Sequence, residues 1–176
     1  MQRILILIAL MLGLAAPAAA HGPPRLKTSA EVLLDATPEE VWAVIGNFGD
    51  MSWHPAVHAT EGGSNEVGAI RVLSFDAAGA AQLSEELTRY DATARTYSYR
   101  IAQDVPQVLP VTNYAAHLTV KDQDGKALVE WRGAFYRGHP NNNPPADLND
   151  DRAIEAVDAV YLEGLEALVA RFGRMN

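Results

Sequence analysis

The chain has 176 residues, and its 22 acidic residues outnumber 14 lysines and arginines, which gives a net charge of −8. With 48% hydrophobic and 20% charged residues, the composition excludes a disordered acidic chain and suits one domain with a single core. The net acidity argues against a nucleic-acid partner, because binding to a phosphate backbone requires clustered lysine and arginine. The absence of cysteine excludes disulfides, thiolate metal sites and cysteine nucleophiles.

The first twenty residues have the pattern of a secretory signal peptide. Arg3 precedes an uncharged apolar run at 4–15, and the alanines at 18–20 satisfy the small-residue rule for cleavage. The run is shorter than the ~20 residues of a membrane-spanning helix, so we expect cleavage and no stable membrane span. The prediction is a signal peptide at 1–20, a single domain at 21–176 and a periplasmic location.

One strand and two short helices are expected at the start of the domain. The strand is predicted at 26–35 from its alternating pattern. In the helix that follows, Thr37 can cap the first turn, Pro38 suits the first helical position, and Glu40 completes a capping box. A second short helical turn is predicted at 50–55.

Residues 58–138 alternate between apolar and polar side chains and carry regular turn signals, which predicts about six strands joined by hairpins. A two-residue turn at 124–125 would put one set of cross-strand pairs on an apolar inner face. These inner pairs are Leu118/Trp131, Ala116/Gly133 and Tyr114/Phe135. An earlier hairpin would pair Arg71 with Glu85, on the face that also carries Leu73 and Leu83.

A long amphipathic helix is predicted from about 148 to 172. Apolar residues at helical spacing form one face of this helix, and the opposite face is acidic. Two interpretations of the acidic face stay open, namely a solvated surface or a docking surface for a cationic partner. The residues considered for partner binding are Asn141, Asn142 and Asn143 in the preceding loop, with Asp151, Glu155 and Asp158 on the helix.

Three segments carry a family resemblance: Thr-Pro-Glu-Glu-Val-Trp at 37–42, Leu-Pro-Val-Thr-Asn-Tyr at 109–114, and Trp-Arg-Gly-Ala-Phe-Tyr-Arg-Gly at 131–138. With the order of elements, they resemble the START-like SRPBCC superfamily, which includes the polyketide cyclase/dehydrase family. The resemblance implies an α+β helix-grip fold. In that fold a curved antiparallel sheet of about seven strands wraps around a long C-terminal helix, here with two short helices after strand 1. With its export signal, the chain also resembles the periplasmic MxaD-like branch.

The helix-grip fold implies an internal apolar cavity, and the small residues at 116 and 133 mark where a gap is expected. The candidate cavity residues are Trp53, His54, Arg71, Glu85, Tyr99, Asn113, Tyr114, Trp131 and Phe135. For the aromatic residues, a plain core role stays open beside a role in the pocket wall. Arg71 and Glu85 either anchor a ligand oxygen or form a structural salt bridge, or they face outward if a bulge reverses the register.

The histidines and hydroxyl residues give no strong indication of a metal site or a nucleophile. His54 and His58 have the spacing of a helical metal pair, but no acidic third ligand lies near them in the sequence. His21 would be able to chelate copper if cleavage made it the N-terminus. No serine or threonine has a placed histidine–carboxylate partner. We therefore predict no metal, no cofactor and no catalytic residue.

Two functions of different classes follow from the resemblance. MxaD-like proteins are associated with periplasmic methanol oxidation. The first function is therefore an exported accessory or binding protein that assists electron transfer from a quinoprotein dehydrogenase to its cytochrome. The second is a carrier of a hydrophobic small molecule or lipid, or a polyketide cyclase/dehydrase-type enzyme. The first predicts an acidic contact surface, and the second predicts an open cavity.

Overall fold

The computed structural model describes residues 22–175, so the predicted signal peptide at 1–20 and the copper interpretation of His21 lie outside the described residues. Seven strands form one antiparallel sheet, and a long helix follows the last strand. The strands are β1 (Leu26–Leu34), β2 (Ala59–Gly62), β3 (Ile70–Ser74), β4 (Gln82–Asp91), β5 (Thr96–Ile101), β6 (Val111–Gln123) and β7 (Lys126–Arg137). The helices are α1 (Pro38–Ile45) and α2 (Asp150–Phe172), with a 3₁₀ turn at Ala146–Leu148.

The strand order is β1-β7-β6-β5-β4-β3-β2, so every strand except β1 pairs with its neighbour in the chain. Strands β2 to β7 pair in chain order as successive antiparallel neighbours, whereas β1 pairs with β7 although the two are far apart in the chain. The arrangement confirms the predicted α+β architecture of a curved sheet with a long C-terminal helix. Within residues 22–175, no helix has the length and apolar character needed to cross a bilayer.

Helix α1 begins where the capping box predicts. The Thr37 side chain accepts a hydrogen bond from the Glu40 N–H, and the Glu40 carboxylate accepts one from the Thr37 N–H at 2.8 Å. The predicted second helix is wrong, because residues 50–55 form successive turns, with the His54 N–H donating to the Met51 carbonyl at 2.9 Å. Asp50 accepts from the Ser52 N–H, and Pro55 has no N–H, so a regular helix does not propagate.

The β6/β7 register is the predicted one over most of the hairpin, with Ala116 opposite Gly133. At the predicted Tyr114/Phe135 pair a bulge interrupts the ladder between residues 112 and 115, although both rings lie on the inner face and stack with centroids 6.1 Å apart. Asn113 lies in this bulge with φ of 49° and is exposed, as expected for the residue next to the inward Tyr114. The bulge reverses the alternation only beyond Asn113, so that residue 111 rather than residue 112 is buried.

Helix α2 lies mainly against β1 and β7, at one end of the sheet. The side chains of α2 that are buried are Ala153, Val157, Tyr161, Leu165 and Leu168. Because the helix covers that end, loops cover the inner face of β3 to β5. The space between α2, these loops and the inner face of the sheet is where the cavity forms.

Candidate functional site

A cavity of about 440 Å³ lies between the inner face of the sheet and α2. This volume falls within the range of about 300–1,000 Å³ that small-molecule sites occupy. Its outer part is apolar and half-buried, with Val57, Phe75, Ala81, Val108, Leu109 and Val160. Its inner part is fully buried and more polar, with His54, Arg71, Glu85, Tyr99, Tyr114 and Trp131. We call these two sets the mouth and the inner end.

The cavity does not lie where the small residues at 116 and 133 predict a gap. The Tyr161 side chain from α2 fills that gap, and a Cβ atom at Gly133 would collide with the Tyr161 hydroxyl. The Tyr161 ring stacks on Trp131 with centroids 4.6 Å apart. The prediction of the gap is wrong because the filling side chain belongs to a helix distant in the sequence.

Arg71 and Glu85 form a buried ion pair at the inner end, with 1% and 6% of their surfaces exposed. Arg71 Nε and Nη2 donate to Glu85 Oε2 at 2.8 and 2.6 Å, and Nη1 donates to the Phe48 carbonyl at 2.8 Å. The guanidinium also lies over the Phe48 ring, 4.2 Å from its centroid. β3 and β4 hold the pair in register, since Arg71 and Glu85 are direct cross-strand partners, as predicted.

The ion pair keeps unused hydrogen-bonding groups that face the cavity. A guanidinium has five N–H donors, and the bonds to Glu85 and Phe48 use three of them. Glu85 Oε1 likewise has no hydrogen-bond partner among residues 22–175. Burial lowers the pKa of Arg71, but the charge of Glu85, together with Tyr97, Tyr99 and the hydrogen bond to Glu85, raises the pKa overall. Arg71 is therefore a fixed cation that can bind an acceptor oxygen.

The tyrosines at the inner end act as neutral hydrogen-bonding groups. Tyr99 Oη accepts a hydrogen bond from Trp131 Nε1 at 3.0 Å. The Tyr114 and Tyr161 hydroxyls bond to each other at 2.8 Å. Burial raises the pKa values of Tyr99 and Tyr114 well above the ordinary value, so neither phenol is a base at neutral pH.

His54 connects the cavity wall to α2. Its Nε2–H donates to the Val160 carbonyl at 2.9 Å, and its Nδ1 accepts from the Ala56 N–H at 3.2 Å. Burial lowers the pKa of His54, which keeps the ring neutral at pH 7. The metal-pair interpretation of His54 and His58 has no geometric basis, because both His54 ring nitrogens are occupied and His58 is exposed.

Acid should destabilise the fold through His54. An unfolded histidine titrates near pH ~6.5, whereas burial lowers the pKa of the folded His54. The unfolded chain therefore binds more protons between these two pKa values, and the free energy of unfolding falls as the pH drops from about 6.5 through the folded pKa. Urea unfolding between pH 8 and pH 5 should show this fall, with a flatter profile for His54→Gln.

The control for the acid effect is His58→Gln, which changes an exposed side chain and should keep the wild-type slope. Burial also lowers the pKa of His117. His117 therefore contributes its own decrease in the free energy of unfolding at low pH, and both variants retain that contribution. A His54→Gln profile as steep as the wild-type profile would contradict the role of His54.

Three predicted cavity residues do not line the cavity. Asn113 is exposed, and its side chain accepts a hydrogen bond from Arg25 Nη1 at 2.7 Å. It lies on the outer face because side chains alternate along β6 and its neighbour Tyr114 points inward. Trp53 and Phe135 are buried behind the wall. Their rings pack against those of Trp131 and Tyr114, with centroids 5.8 and 6.1 Å apart. These two aromatic residues support the residues that face the cavity.

The sequence prediction missed most of the mouth. Val108 and Leu109 lie in the loop between β5 and β6, and Phe75 and Ala81 flank the β3–β4 turn. One available indication is the Val-Leu pair between prolines at 106 and 110, since an apolar pair in a loop normally covers something. Nothing in the sequence around Phe75 and Ala81 indicates that these two residues line a cavity.

The predicted partner surface is exposed except at one residue. Asn141, Asn142 and Asn143 are exposed in the loop before α2, as are Asp151 and Glu155 on the helix. Glu155 pairs with Arg152 at 2.9 Å. Asp158 is wrong as a contact residue, because it is half-buried and its carboxylate accepts a hydrogen bond from Thr28 on β1.

The model of one protein family, described as polyketide cyclase/dehydrase and lipid transport, matches residues 25–173. The chain belongs to this family. The protein XoxI from Bacillus cereus is 29% identical over 83% of this chain and 94% of its own, with a TM-score of 0.67. An uncharacterised protein from Bacillus thuringiensis is 31% identical over 85% of this chain and 98% of its own, with a TM-score of 0.65.

The fold is also that of the ZhuI aromatase/cyclase from Streptomyces sp. R1128. That structure is 20% identical over 84% of this chain and 93% of its own, with a TM-score of 0.64. At this identity the likeness shows the helix-grip fold alone, since one fold hosts many activities. Among curated proteins, no sequence matches the chain.

Proposed function

We propose that this member of the polyketide cyclase/dehydrase and lipid transport family is a binding protein for a small, largely apolar molecule with one oxygen-bearing polar end. The observation that carries the proposal is the cavity of about 440 Å³, which is apolar at the mouth and ends at the buried Arg71–Glu85 pair. Ligand sites commonly combine an apolar lining with a few placed polar groups.

The polarity gradient of the cavity sets the orientation of the ligand. The apolar part of the molecule would contact the mouth, and burial of that surface contributes about 25 cal/mol per Å². The polar oxygen would meet the unused N–H groups of Arg71 and the hydroxyl of Tyr99. Both groups are buried, so a ligand oxygen that reaches them would take the place of cavity water as their hydrogen-bond partner.

Blocking the mouth should abolish binding while the fold is retained. The probe is 1-anilinonaphthalene-8-sulfonate, which joins apolar rings to acceptor oxygens. In Ala81→Trp the indole would occupy the mouth, and we expect fluorescence titration to give an affinity at least about tenfold weaker, a loss of ~1.4 kcal/mol or more. Ala80→Trp is the matched control, because Ala80 is exposed and does not line the cavity. Equal affinities in the two variants would overturn the proposal.

A catalytic alternative depends on Glu85. Its Oε1 faces the cavity without a partner among residues 22–175 and would be the group able to accept a proton from a bound molecule. Native mass spectrometry of the protein from its own cells, followed by organic extraction, separates the two functions. A stoichiometric molecule that the pure protein leaves unchanged supports binding alone, whereas conversion that Glu85→Gln abolishes supports the enzyme.

We further propose that the protein is exported to the periplasm and acts there as an MxaD-like accessory protein. The pattern of residues 1–20 supports export, and the exposed carboxylates of Asp151 and Glu155 support contact with a cationic partner. An N-terminus at His21 in the periplasmic fraction would agree with export, and an intact Met1 would contradict it. Electron transfer from methanol dehydrogenase to its cytochrome that does not change when the protein is added would overturn the accessory role.

A further inference from the structure

The outer face of the sheet carries a cross-strand row of polar and basic residues. The pairing of five neighbouring strands aligns them directly, as Ser29, Arg132, His117, Ser98 and Arg89. The next row toward the β5–β6 loop contains Lys27, Ala134, Ala115 and Arg100. Both rows face away from the cavity, because residues alternate between the two faces of a sheet.

Three cations in these rows have no counter-charge. Lys27, Arg89 and Arg132 are exposed and form no ion pair within residues 22–175. Arg100, at the edge of the same face, pairs with Glu86 at 2.7 Å. The chain has a net charge of −8, so acidic side chains are in excess and most exposed cations would be expected to have an acidic partner.

A trough of about 390 Å³ lies between these cations on the outer face. Ala115 and Ala134 form its half-buried floor, where small side chains leave the space open. Lys27 on β1, Arg132 on β7 and Ser98 on β5 also line the trough. The trough and the cavity are separate sites, since the sheet lies between them.

His117 completes the trough as a rigid, uncharged side chain. Its Nδ1 lies 2.8 Å from Ser98 Oγ, and its Nε2 lies 2.9 Å from Thr119 Oγ1. Burial lowers the pKa of His117, and the charges of Arg132, Arg89 and Lys121 lower it further against the opposing effect of Glu130. His117 therefore contributes a neutral ring to the trough.

The acidic residues on this face limit where an anion can bind. The row beyond Arg132 contains Glu31 and Glu130, which line a different, smaller groove with that arginine. Glu130 pairs with Lys121 at 2.7 Å, which leaves Lys27 and Arg132 as the cations that face the alanine floor. An anion is thus favoured in the trough between Arg132 and Lys27, and it is disfavoured in the groove between Arg132 and the two glutamates.

We propose that this trough is a second binding site, which takes the phosphate group of a small soluble molecule. Arg132 supplies a planar donor fork and Lys27 supplies a compact positive charge, which together suit a tetrahedral dianion. The alanine floor contacts the organic part of the molecule. A net charge of −8 opposes docking on an anionic membrane, which favours a soluble source of the phosphate.

Titration with inorganic phosphate tests this site. In NMR spectra of the ¹⁵N-labelled protein, we expect saturable shifts of the Ala115 and Ala134 amides that sodium chloride at equal ionic strength does not produce. Arg132→Gln and Lys27→Gln should each weaken the affinity at least about tenfold, the loss expected for a hydrogen bond to a charged group. Bound phosphate should also raise the pKa of the His117 ring, which imidazole proton shifts report.

The matched control is Arg171→Gln, which removes one exposed positive charge at the end of α2, far along the chain from the trough. It should leave the affinity within about twofold, a difference of ~0.4 kcal/mol. No saturable shift in the wild type, or an equal loss in Arg171→Gln, would overturn the site. Flotation with phosphatidylglycerol vesicles that requires Arg132 would overturn the soluble source. Ala81→Trp blocks the cavity and not the trough, so this variant should still bind phosphate. The phosphate test therefore stands or fails independently of the cavity proposal.

Discussion

Replacing Glu85 with leucine should lower the free energy of unfolding by about 3–5 kcal/mol, because it leaves the buried Arg71 cation without a counter-charge. Arg71 is only 1% exposed, and its remaining partner is the Phe48 carbonyl at 2.8 Å. Urea unfolding at pH 7, with a comparison of midpoints and slopes, measures this loss.

The double variant Arg71→Met/Glu85→Leu tests whether the loss comes from the charge or from packing. An apolar pair of similar size removes both charges, so most of the stability should return. A residual loss of about 1–3 kcal/mol is expected from the Phe48 carbonyl that loses its donor. A double variant no more stable than Glu85→Leu would contradict the ion-pair explanation. The folded double variant should still bind the naphthalene sulfonate less tightly than the wild type, because the Arg71 donors are absent.

Gly133→Ala should destabilise the protein by about 1–3 kcal/mol, although alanine is normally better than glycine within a strand. The added Cβ would meet the Tyr161 hydroxyl, which occupies the space over the glycine. Tyr161 is fully buried and stacked on Trp131, so it cannot move away without disturbing α2 and the cavity wall. Thermal unfolding of the two proteins in parallel measures the difference.

In a Tyr161→Phe background, Gly133→Ala should lower the free energy of unfolding by less than about 1 kcal/mol, because the oxygen that collides with the added Cβ is absent. The nearest remaining atoms would then be Tyr161 Cζ at 3.4 Å and Tyr114 Cε2 at 3.5 Å, which are ordinary contacts. Tyr161→Phe by itself should destabilise by about 1–3 kcal/mol, since the Tyr114 hydroxyl loses its partner. An alanine cost that is the same in both backgrounds would show that the hydroxyl is not its cause.

The parts of the fold that sequence reasoning predicts correctly depend on interactions between residues close in the chain. The capping box of Thr37 and Glu40 spans three residues, and hairpin turns set the pairing of Arg71 with Glu85. Alternation of apolar residues then selects the inner face of each strand. Arg71 and Glu85 are therefore placed inward from the sequence, because both follow the period of Leu73 and Leu83.

Errors arise where local pattern competes with long-range packing. The alternation that places Tyr114 and Ala116 inward already puts Asn113 on the outer face, and the bulge in the pairing of β6 with β7 reverses the alternation only beyond it, where Val111 is buried. The gap over Gly133 is filled by Tyr161, a residue 28 positions away. A pattern of small residues shows where space exists on one surface, and the side chains of the opposite surface decide whether that space stays open.

The sequence by itself determined the strands, both α-helices, the inward ion pair and the family resemblance, since these follow from periodicity, capping and motifs. Only the tertiary structure decided where the cavity lies, that Tyr161 occupies the expected gap, and that unpaired cations from β1, β4 and β7 share the outer face. The physical reason is that a cavity or a charged trough is the space left by several distant elements. Its position depends on their packing, which no single segment encodes.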